Sequence, residues 1–274
     1  MRSRLTFFQS WLSLGCILNM VCLGTAASQT NLGADFSGYW TRGPAVHADF
    51  RPLAAGPGPV MNLTPPAPDQ AAGQGSRHQG DYTNPILQPW TAEIVKQRGD
   101  ADIAGRPVLH PGNVCAPYGL PFILRLGDTV QFLHTRNDFV ILYAEEMRAR
   151  IVYMNTGHPP DLTPSYYGHS VGHWERDVLV IDTVGLNDRT WTDRNGTPHT
   201  ERMRVVERYH KVDEATVRVD FMVEDPGAFT TPWAAWVSYS PAGDHYYEQV
   251  CAENAIDVLT GRELPIPRDD TPDF

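Results

Sequence analysis

From residue 121 onward, short runs of β-branched and aromatic residues alternate with turn residues at spacings of about 8 to 14 positions. This pattern is typical of an all-β domain, because each run is long enough for a strand and too short for a helix. It predicts strands at residues 121–126, 129–134, 139–145, 149–154, 168–175, 178–183, 203–210, 216–224, 233–239 and 245–251. Short turns between them favour an antiparallel meander that closes into a barrel, or a two-sheet sandwich.

The clearest predicted strand is at 216–224, where polar and apolar residues alternate. Its apolar face consists of Val217, Val219, Phe221 and Val223. Residues 212–215 join this strand to the preceding one as a hairpin. A parallel α/β sheet is excluded, because the short connections leave no room for a crossover after each strand.

Residues 28–120 differ from the rest of the chain, because Pro, Gly, Ala and polar residues dominate them. Such a composition supports neither sheet ladders nor long helices, so it predicts an extended arm that wraps the core. Within the arm we expect a short first strand at 35–40 and a helix at 90–98 that ends at Gly99. A barrel domain at 121–254 and a tail at 255–274 follow.

The first 27 residues have the features of a secretory signal peptide. Arg2 and Arg4 form a basic start, residues 11–23 are mostly apolar, and Thr25-Ala-Ala27 suits a signal peptidase. Cleavage after Ala27 predicts a protein of the periplasm or the extracellular space. The alternative is an uncleaved anchor, but about 13 apolar residues are fewer than the roughly 20 that span a bilayer.

Cleavage would also change the set of cysteines. Cys16 and Cys22 would leave with the signal peptide, so Cys115 and Cys251 would remain. Two cysteines in an oxidising compartment predict one disulfide bond. The alternative is a pair of buried free thiols.

Composition narrows the classes of partner and reaction. The chain has 274 residues, of which 42% are hydrophobic and 20% charged, and its net charge is -10. This is enough apolar chain for a packed core, whereas the acidic balance argues against a nucleic-acid partner, since phosphates bind basic surfaces. The sequence has no nucleophile elbow, phosphate-binding glycine loop, zincin helix or thioredoxin-like dithiol, so the corresponding enzyme classes lose support.

The predicted strand at 168–175 carries a row of titratable residues. Alternation places His169, His173 and Glu175 on one face at intervals of about 7 Å. Three interpretations stay open: a hydrated outer face, a row that lines a pocket, or a metal site. The metal site is disfavoured, because Zn–N bonds are only about 2.0–2.1 Å long. Two histidines about 7 Å apart on a strand can therefore bind the same ion only if the strand bends.

Glu207 lies on the apolar face of another predicted strand. That face also carries Met203, Val205 and Tyr209. A buried carboxylate is stable only if it is paired, or if it keeps its proton with a raised pKa. Glu207 is therefore either an acid–base group or a structural partner of an arginine such as Arg148 or Arg150.

Residues 187–201 form the densest polar segment of the chain. Its chemistry-bearing residues are Asp188, Trp191, Asp193, His199 and Glu201. A histidine near carboxylates can act as a general base or a metal ligand, and loops on a rigid barrel often hold sites. Asp, Asn and Gly are also ordinary turn residues, so a purely structural loop is the alternative.

The run Gly168-His-Ser-Val-Gly-His-Trp-Glu175, followed by Asp177, fits the pattern G-H-S-x-G-x-W-E-x-D. Over about residues 110–254 the chain resembles an uncharacterised family of secreted bacterial proteins. The resemblance rests on this run, on segments 161–175, 179–191, 196–201 and 224–233, and on the residues around Cys115 and Cys251. The resemblance implies a lipocalin-like β-barrel, and it implies no activity and no catalytic residues. Arg176 stands where the family pattern has Gly, which implies a different turn or a strained one with positive φ.

We predict a barrel that binds a small, partly apolar molecule and acts on it by cofactor-free acid–base chemistry, as a lyase, hydratase or isomerase does. The candidate catalytic residues are His169, His173, Glu175, Asp193, His199, Glu201 and Glu207. They could act as acid and base if they converge, because burial moves carboxylate and imidazole pKa values toward neutrality.

Two alternatives belong to other functional classes. The first is a non-catalytic ligand carrier lined by aromatic residues, for which the candidates are Tyr143, Tyr153, Trp174, Trp191 and Trp236. The second is a metal-dependent hydrolase that binds its ion through Asp193, His199 and either His169 or His173.

Overall fold

The structure is a computed structural model, and it describes residues 33–42, 50–63, 79–106, 108–110, 112, 115–243, 250–251, 256–257 and 262–263. The predicted signal peptide at 1–27 lies outside them, as do most of the predicted strand at 245–251 and most of the tail at 255–274.

Nine strands form a closed barrel, which confirms the predicted all-β barrel. The strands of the described chain are β1 (Gly38–Thr41), β2 (Arg51–Pro52), β3 (Val130–His134), β4 (Asp138–Tyr143), β5 (Arg148–Met154), β6 (His169–Glu175), β7 (Val178–Val184), β8 (Arg204–Asp213), β9 (Thr216–Glu224), β10 (Trp233–Pro241), β11 (Ile256–Asp257) and β12 (Arg262–Glu263). β1 closes the barrel, because it pairs with β3 on one side and with β10 on the other. The short β2 also pairs with β10, and β11 with β12 forms a two-stranded sheet.

Neighbouring strands of the barrel are antiparallel except β5 and β6, which run parallel with Val152 opposite Ser170. Residues 155–168 form the crossover between them, since parallel neighbours cannot be joined by a tight turn. Gly168 ends the crossover with a φ of 61°, a left-handed conformation that glycine adopts without strain. The predicted meander is thus interrupted once.

Most other elements lie within a few residues of their predicted positions, and the 212–215 hairpin joins β8 to β9. The prediction of a strand at 121–126 is wrong, because Phe122–Arg125 form a 3-10 turn. All four side chains of this turn, Arg125 included, are buried, so the run lacks the alternation of a half-buried strand. Helix α1 (Pro89–Ile103) continues past Gly99, which packs against Gln79 where a side chain would not fit.

Large aromatic side chains fill the barrel. The buried ones include Phe36, Phe132, Phe139, Tyr209, Phe221 and Trp233. Phe36, just before β1, stacks on Trp174 and contacts Phe139. Helix α1 belongs to the arm and is tied to the segment before β10, since Trp90 donates a hydrogen bond to the Gly227 carbonyl at 2.8 Å.

Cys115 and Cys251 form a disulfide bond with an S–S distance of 2.08 Å, which confirms the predicted pairing. The bond links the end of the arm to the segment that follows β10. No helix within the described ranges has the length and apolar character needed to cross a membrane.

Arg176, in the turn between β6 and β7, has a φ of 57°. This region of backbone conformation is uncommon for residues other than glycine. The chain therefore has the strained turn, one of the two outcomes expected for an arginine at this position.

Candidate functional site

The structure places the predicted catalytic residues in three different environments. The outer face of β6 carries His169, His173 and Glu175. Glu207 points into the barrel from β8 and is fully buried. In the polar loop before β8, Asp193 and His199 are buried and Glu201 is exposed. A sheet separates the first two environments, so the seven residues do not share one cavity.

Glu207 belongs to a buried ion pair. Arg150 donates hydrogen bonds to both of its carboxylate oxygens, one of them at 3.0 Å, and Tyr209 donates another at 3.0 Å. Arg150 also donates to Ser170 Oγ at 3.0 Å and to Thr183 Oγ1 at 2.8 Å. Burial opposes the charge of Arg150, but the Glu207 carboxylate outweighs this effect and raises the pKa of Arg150. The geometry supports the structural role of Glu207.

Asp193 and His199 hold the polar loop together. Asp193 Oδ1 accepts backbone hydrogen bonds from Asn195 at 2.9 Å and from Thr197 at 3.3 Å. His199 Nε2 lies 2.8 Å from Thr190 Oγ1, and burial lowers the pKa of His199. Because both side chains are engaged in bonds within the loop, the structural alternative is favoured here as well.

His173 and Glu175 lie in solvent at the end of β6. His173 Nε2 is 3.3 Å from Glu175 Oε1, and Arg208 of β8 donates to Glu175 Oε2 at 2.6 Å. The hydrogen bond from Arg208 lowers the pKa of Glu175. These two residues form the hydrated outer face that was one interpretation of the row.

His169, at the start of β6, belongs to a different cluster on the outer face. Its Nδ1 lies 2.9 Å from Nδ1 of His158, which is in the crossover. His158 Nε2 lies 3.7 Å from Asp182 Oδ2 on β7, an ion-pair distance. Arg204 of β8 donates one hydrogen bond of 2.8 Å to each oxygen of Asp182. We call His169, His158 and Asp182 the histidine relay.

Strand register explains how the histidine relay forms. Asp182 lies opposite Val171, two residues along β6 from His169. The crossover required by the parallel pairing of β5 and β6 brings His158 to the same outer face. The relay thus depends on the topology of the sheet as well as on the residues themselves.

Two ring-nitrogen contacts link the residues of the relay: His169 Nδ1 with His158 Nδ1, and His158 Nε2 with Asp182 Oδ2. The Asp182 carboxylate favours a proton on His158 Nε2, the nitrogen nearest to it. A His158 tautomer with its proton on Nε2 accepts at Nδ1, and His169 Nδ1 is then the donor in the contact between the two rings. The lone pair of His169 is therefore on Nε2.

This tautomer makes His169 a base. Partial burial, and secondly the nearby His158, lower the pKa of His169 below its ordinary 6.5. The ring is consequently neutral at pH 7 and able to accept a proton. His169 is half-buried and Tyr153 stacks on it with ring centroids 5.0 Å apart, so one aromatic face is already covered.

The predicted ligand-binding aromatic residues do not line one cavity. Tyr143 and Trp174 point into the barrel. Tyr153 and Trp236 point outward, because they alternate with buried neighbours, and this corrects the expectation that they line the interior. Trp191 lies in the polar loop under the guanidinium of Arg98 at 4.6 Å.

Buried aromatic and aliphatic side chains pack the interior of the barrel in the part of the chain that the structure describes. A depression beside Tyr143 has a cavity volume of about 10 Å³, far below the roughly 300–1,000 Å³ of ordinary ligand pockets. Within the described part of the chain, the packed interior gives no support to a ligand carried inside the barrel.

The metal-site alternative has no support from the geometry. Within the described ranges, no three His, Cys, Asp or Glu side chains are grouped so that they could hold a metal ion. His169 contacts His158, whereas Asp193 and His199 make their bonds within the polar loop.

The chain matches no protein-family model, no curated protein and no solved structure. The resemblance to secreted bacterial proteins stays a prediction.

Sequence reasoning identified His169 and missed its two partners. Asp182 carries a detectable signal, since it is the one charged residue of the mostly apolar strand Val178–Val184. His158 carries no comparable signal, because its contact with His169 arises only through the crossover.

Proposed function

We propose that this protein is an acid–base enzyme in which His169 is the general base. The observation that carries the proposal is the 2.9 Å contact between His169 and His158. A substrate proton passes to His169 Nε2, and the positive charge that forms is shared with His158, whose Nε2 lies 3.7 Å from the Asp182 carboxylate. The same proton then returns to another atom of the substrate, which is an isomerisation, or leaves with a departing group, which is an elimination.

Two neighbours support this role. Arg204 holds both oxygens of Asp182 and so fixes the direction of the carboxylate. Tyr153 is exposed beside His169 and offers an aromatic surface to a small, partly apolar substrate. The reaction as proposed uses no cofactor.

We also propose that the protein acts in the periplasm or outside the cell, after cleavage following Ala27. The support is the Cys115–Cys251 bond, because disulfides persist in oxidising compartments. Amino-terminal sequencing of the exported protein tests this, and a mature chain that still carries residues 1–27 would contradict it.

Hydrolysis of 4-nitrophenyl acetate, a general probe of reactive imidazoles, tests the role of His169. We expect His169→Gln to lower the rate at pH 7 by about tenfold or more, because it removes the neutral imidazole whose free nitrogen attacks the ester carbonyl as 4-nitrophenolate leaves. Asp182→Asn should lower the rate less, since it removes only the countercharge. The wild-type rate should rise with pH through a pKa below 6.5.

His173→Gln is the matched control for this experiment. His173 lies on the same strand and the same face as His169, but outside the histidine relay. Its variant should hydrolyse the probe at the wild-type rate. Equal rates for the wild type and His169→Gln would overturn the proposal.

A further inference from the structure

The middle of the crossover, residues 156–161, is attached to the barrel through one side chain, and we call these six residues the crossover tip. His158 is half-buried, whereas the other five residues of the tip are exposed. Backbone hydrogen bonds hold the crossover on both sides of the tip, at the amides of Asn155 and Ser165. Within the tip, in the part of the chain that the structure describes, the hydrogen bonds and ion pairs are those of His158.

The contact that attaches the tip depends on the protonation of its two rings. His158 Nδ1 and His169 Nδ1 lie 2.9 Å apart, so one nitrogen must donate an N–H and the other must accept it, whichever tautomer is present. A first added proton binds the lone pair that lies outside the contact, and the hydrogen bond is kept. A charged imidazole is a donor at both nitrogens, so a second added proton occupies the last lone pair and sets two N–H groups against each other.

The charges around the two rings also oppose double protonation. The groups that face the pair are Tyr153 of β5, Asp182 of β7 and, through Asp182, Arg204 of β8. Arg204 already binds both oxygens of Asp182 and lies 3.9 Å from Glu224 of β9. Two imidazolium rings with centroids 5.2 Å apart, together with Arg204, would give three positive charges against the two carboxylates.

We propose that the contact between His158 and His169 is a pH-sensitive switch, which holds the crossover tip against the barrel near neutral pH and releases it in acid. The attached state binds one added proton at the pair, whereas the released state binds two, since each ring is then free in water. The ratio of released to attached molecules should therefore increase about tenfold for each pH unit below about 6.5, the ordinary pKa of histidine. The switch does not require His169 to be a catalytic base.

A nitroxide spin label on Gly157→Cys measures the release of the tip, because nothing lies within 4 Å of a Cβ atom at this position. Electron paramagnetic resonance spectra between about pH 7.5 and about pH 4 should show a mobile component that grows about tenfold per pH unit, relative to the immobile one, below about pH 6.5. Addition of His169→Gln should reduce this growth to less than about twofold over the whole range. The glutamine amide carries no charge and can donate or accept, so it keeps the contact with His158 in every protonation state.

Two controls isolate the pair. His173→Gln removes an exposed histidine from the same face of β6, and the label on the tip should then respond to pH as it does in the wild type. A label on Val212→Cys, at a position of β8 that is 58% exposed, should keep the same spectrum throughout. The inference fails if the spectrum of Gly157→Cys does not change with pH, if His169→Gln responds equally, or if the Val212→Cys label becomes mobile in parallel. None of these results alters the hydrolysis test of His169, which is read at pH 7.

Discussion

Arg150 reaches three neighbouring strands from inside the barrel. It starts on β5 and contacts Ser170 on β6, Thr183 on β7 and Glu207 on β8. Ser170 and Thr183 are the residues that follow His169 and Asp182 in the chain, so the ion pair lies beneath the strands that carry the histidine relay. Removal of one partner leaves an uncompensated buried charge, whereas apolar replacement of both does not.

Glu207→Ala should therefore lower the free energy of unfolding by about 3–5 kcal/mol. The double variant Arg150→Met with Glu207→Met should recover most of this loss, since neither charge remains. Urea unfolding followed by circular dichroism measures both. Glu175→Ala, at an exposed ion pair, is the control and should leave the midpoint almost unchanged. A double variant no more stable than Glu207→Ala would contradict this account.

At the scale of single residues, residues in unusual positions could be predicted from the sequence more readily than the residues that they contact. A carboxylate on an apolar face identified Glu207, and Arg150 was one of two candidate partners. A face of titratable residues identified His169. Asp182 was detectable as a charge in an apolar strand, but its contact with His158 depends on the path of the crossover, which alternation does not encode.

The crossover is the element on which the histidine relay depends most. Gly168 ends it in a left-handed conformation, and a Cβ atom there would lie 2.4 Å from the Val184 carbonyl oxygen. That oxygen belongs to the backbone of β7, so it cannot move aside as a flexible side chain could.

Gly168→Ala should thus destabilise the protein by about 1–3 kcal/mol, because it adds both backbone strain and a clash. Gly157→Ala is the matched control in the same crossover, since nothing lies within 4 Å of a Cβ atom at that position. Thermal unfolding compares the two variants. A melting temperature for Gly168→Ala equal to that of Gly157→Ala would show that the crossover tolerates a different backbone at residue 168.

At the scale of elements, the positions of most strands could be predicted from the sequence, whereas the order of strands in the sheet could be predicted only in part. Alternation located the strands from β3 to β10, because one face of each is buried and the other is not. It failed at 121–126, where burial on all sides removes the alternation. The parallel pairing of β5 and β6 was not foreseen, since the period of a strand is the same in either direction.

The stability of the whole molecule should depend on pH through its buried histidines. His110 stacks on Phe122 with ring centroids 4.0 Å apart, and its Nδ1 accepts a hydrogen bond from the Gly112 amide. Burial, and then the charges of Arg125 and Arg98, lower the pKa of His110 from 6.5 to about 3. Between these two values the unfolded chain binds a proton that the folded protein excludes, so stability decreases as the pH falls.

We accordingly expect the free energy of unfolding to decrease from about pH 6.5 toward about pH 3, by about 1.4 kcal/mol per pH unit for this histidine. His110→Phe should reduce the slope, because the ring stacking is kept and the titrating group is removed. His173→Gln, at an exposed site, should keep the wild-type slope. Urea titrations at several pH values measure it, and an unchanged slope in His110→Phe would exclude His110 as its source.

The parallel pairing of β5 and β6 divides the barrel strands into two halves, one on each side of the crossover in the sequence. β1 to β5 precede the crossover and β6 to β10 follow it, and the halves meet where β5 pairs with β6 and where β10 pairs with β1 and β2. Cys115 belongs to the first half and Cys251 to the second. A protease that cut the exposed crossover would therefore produce two fragments that stay covalently joined, and they would separate only after reduction.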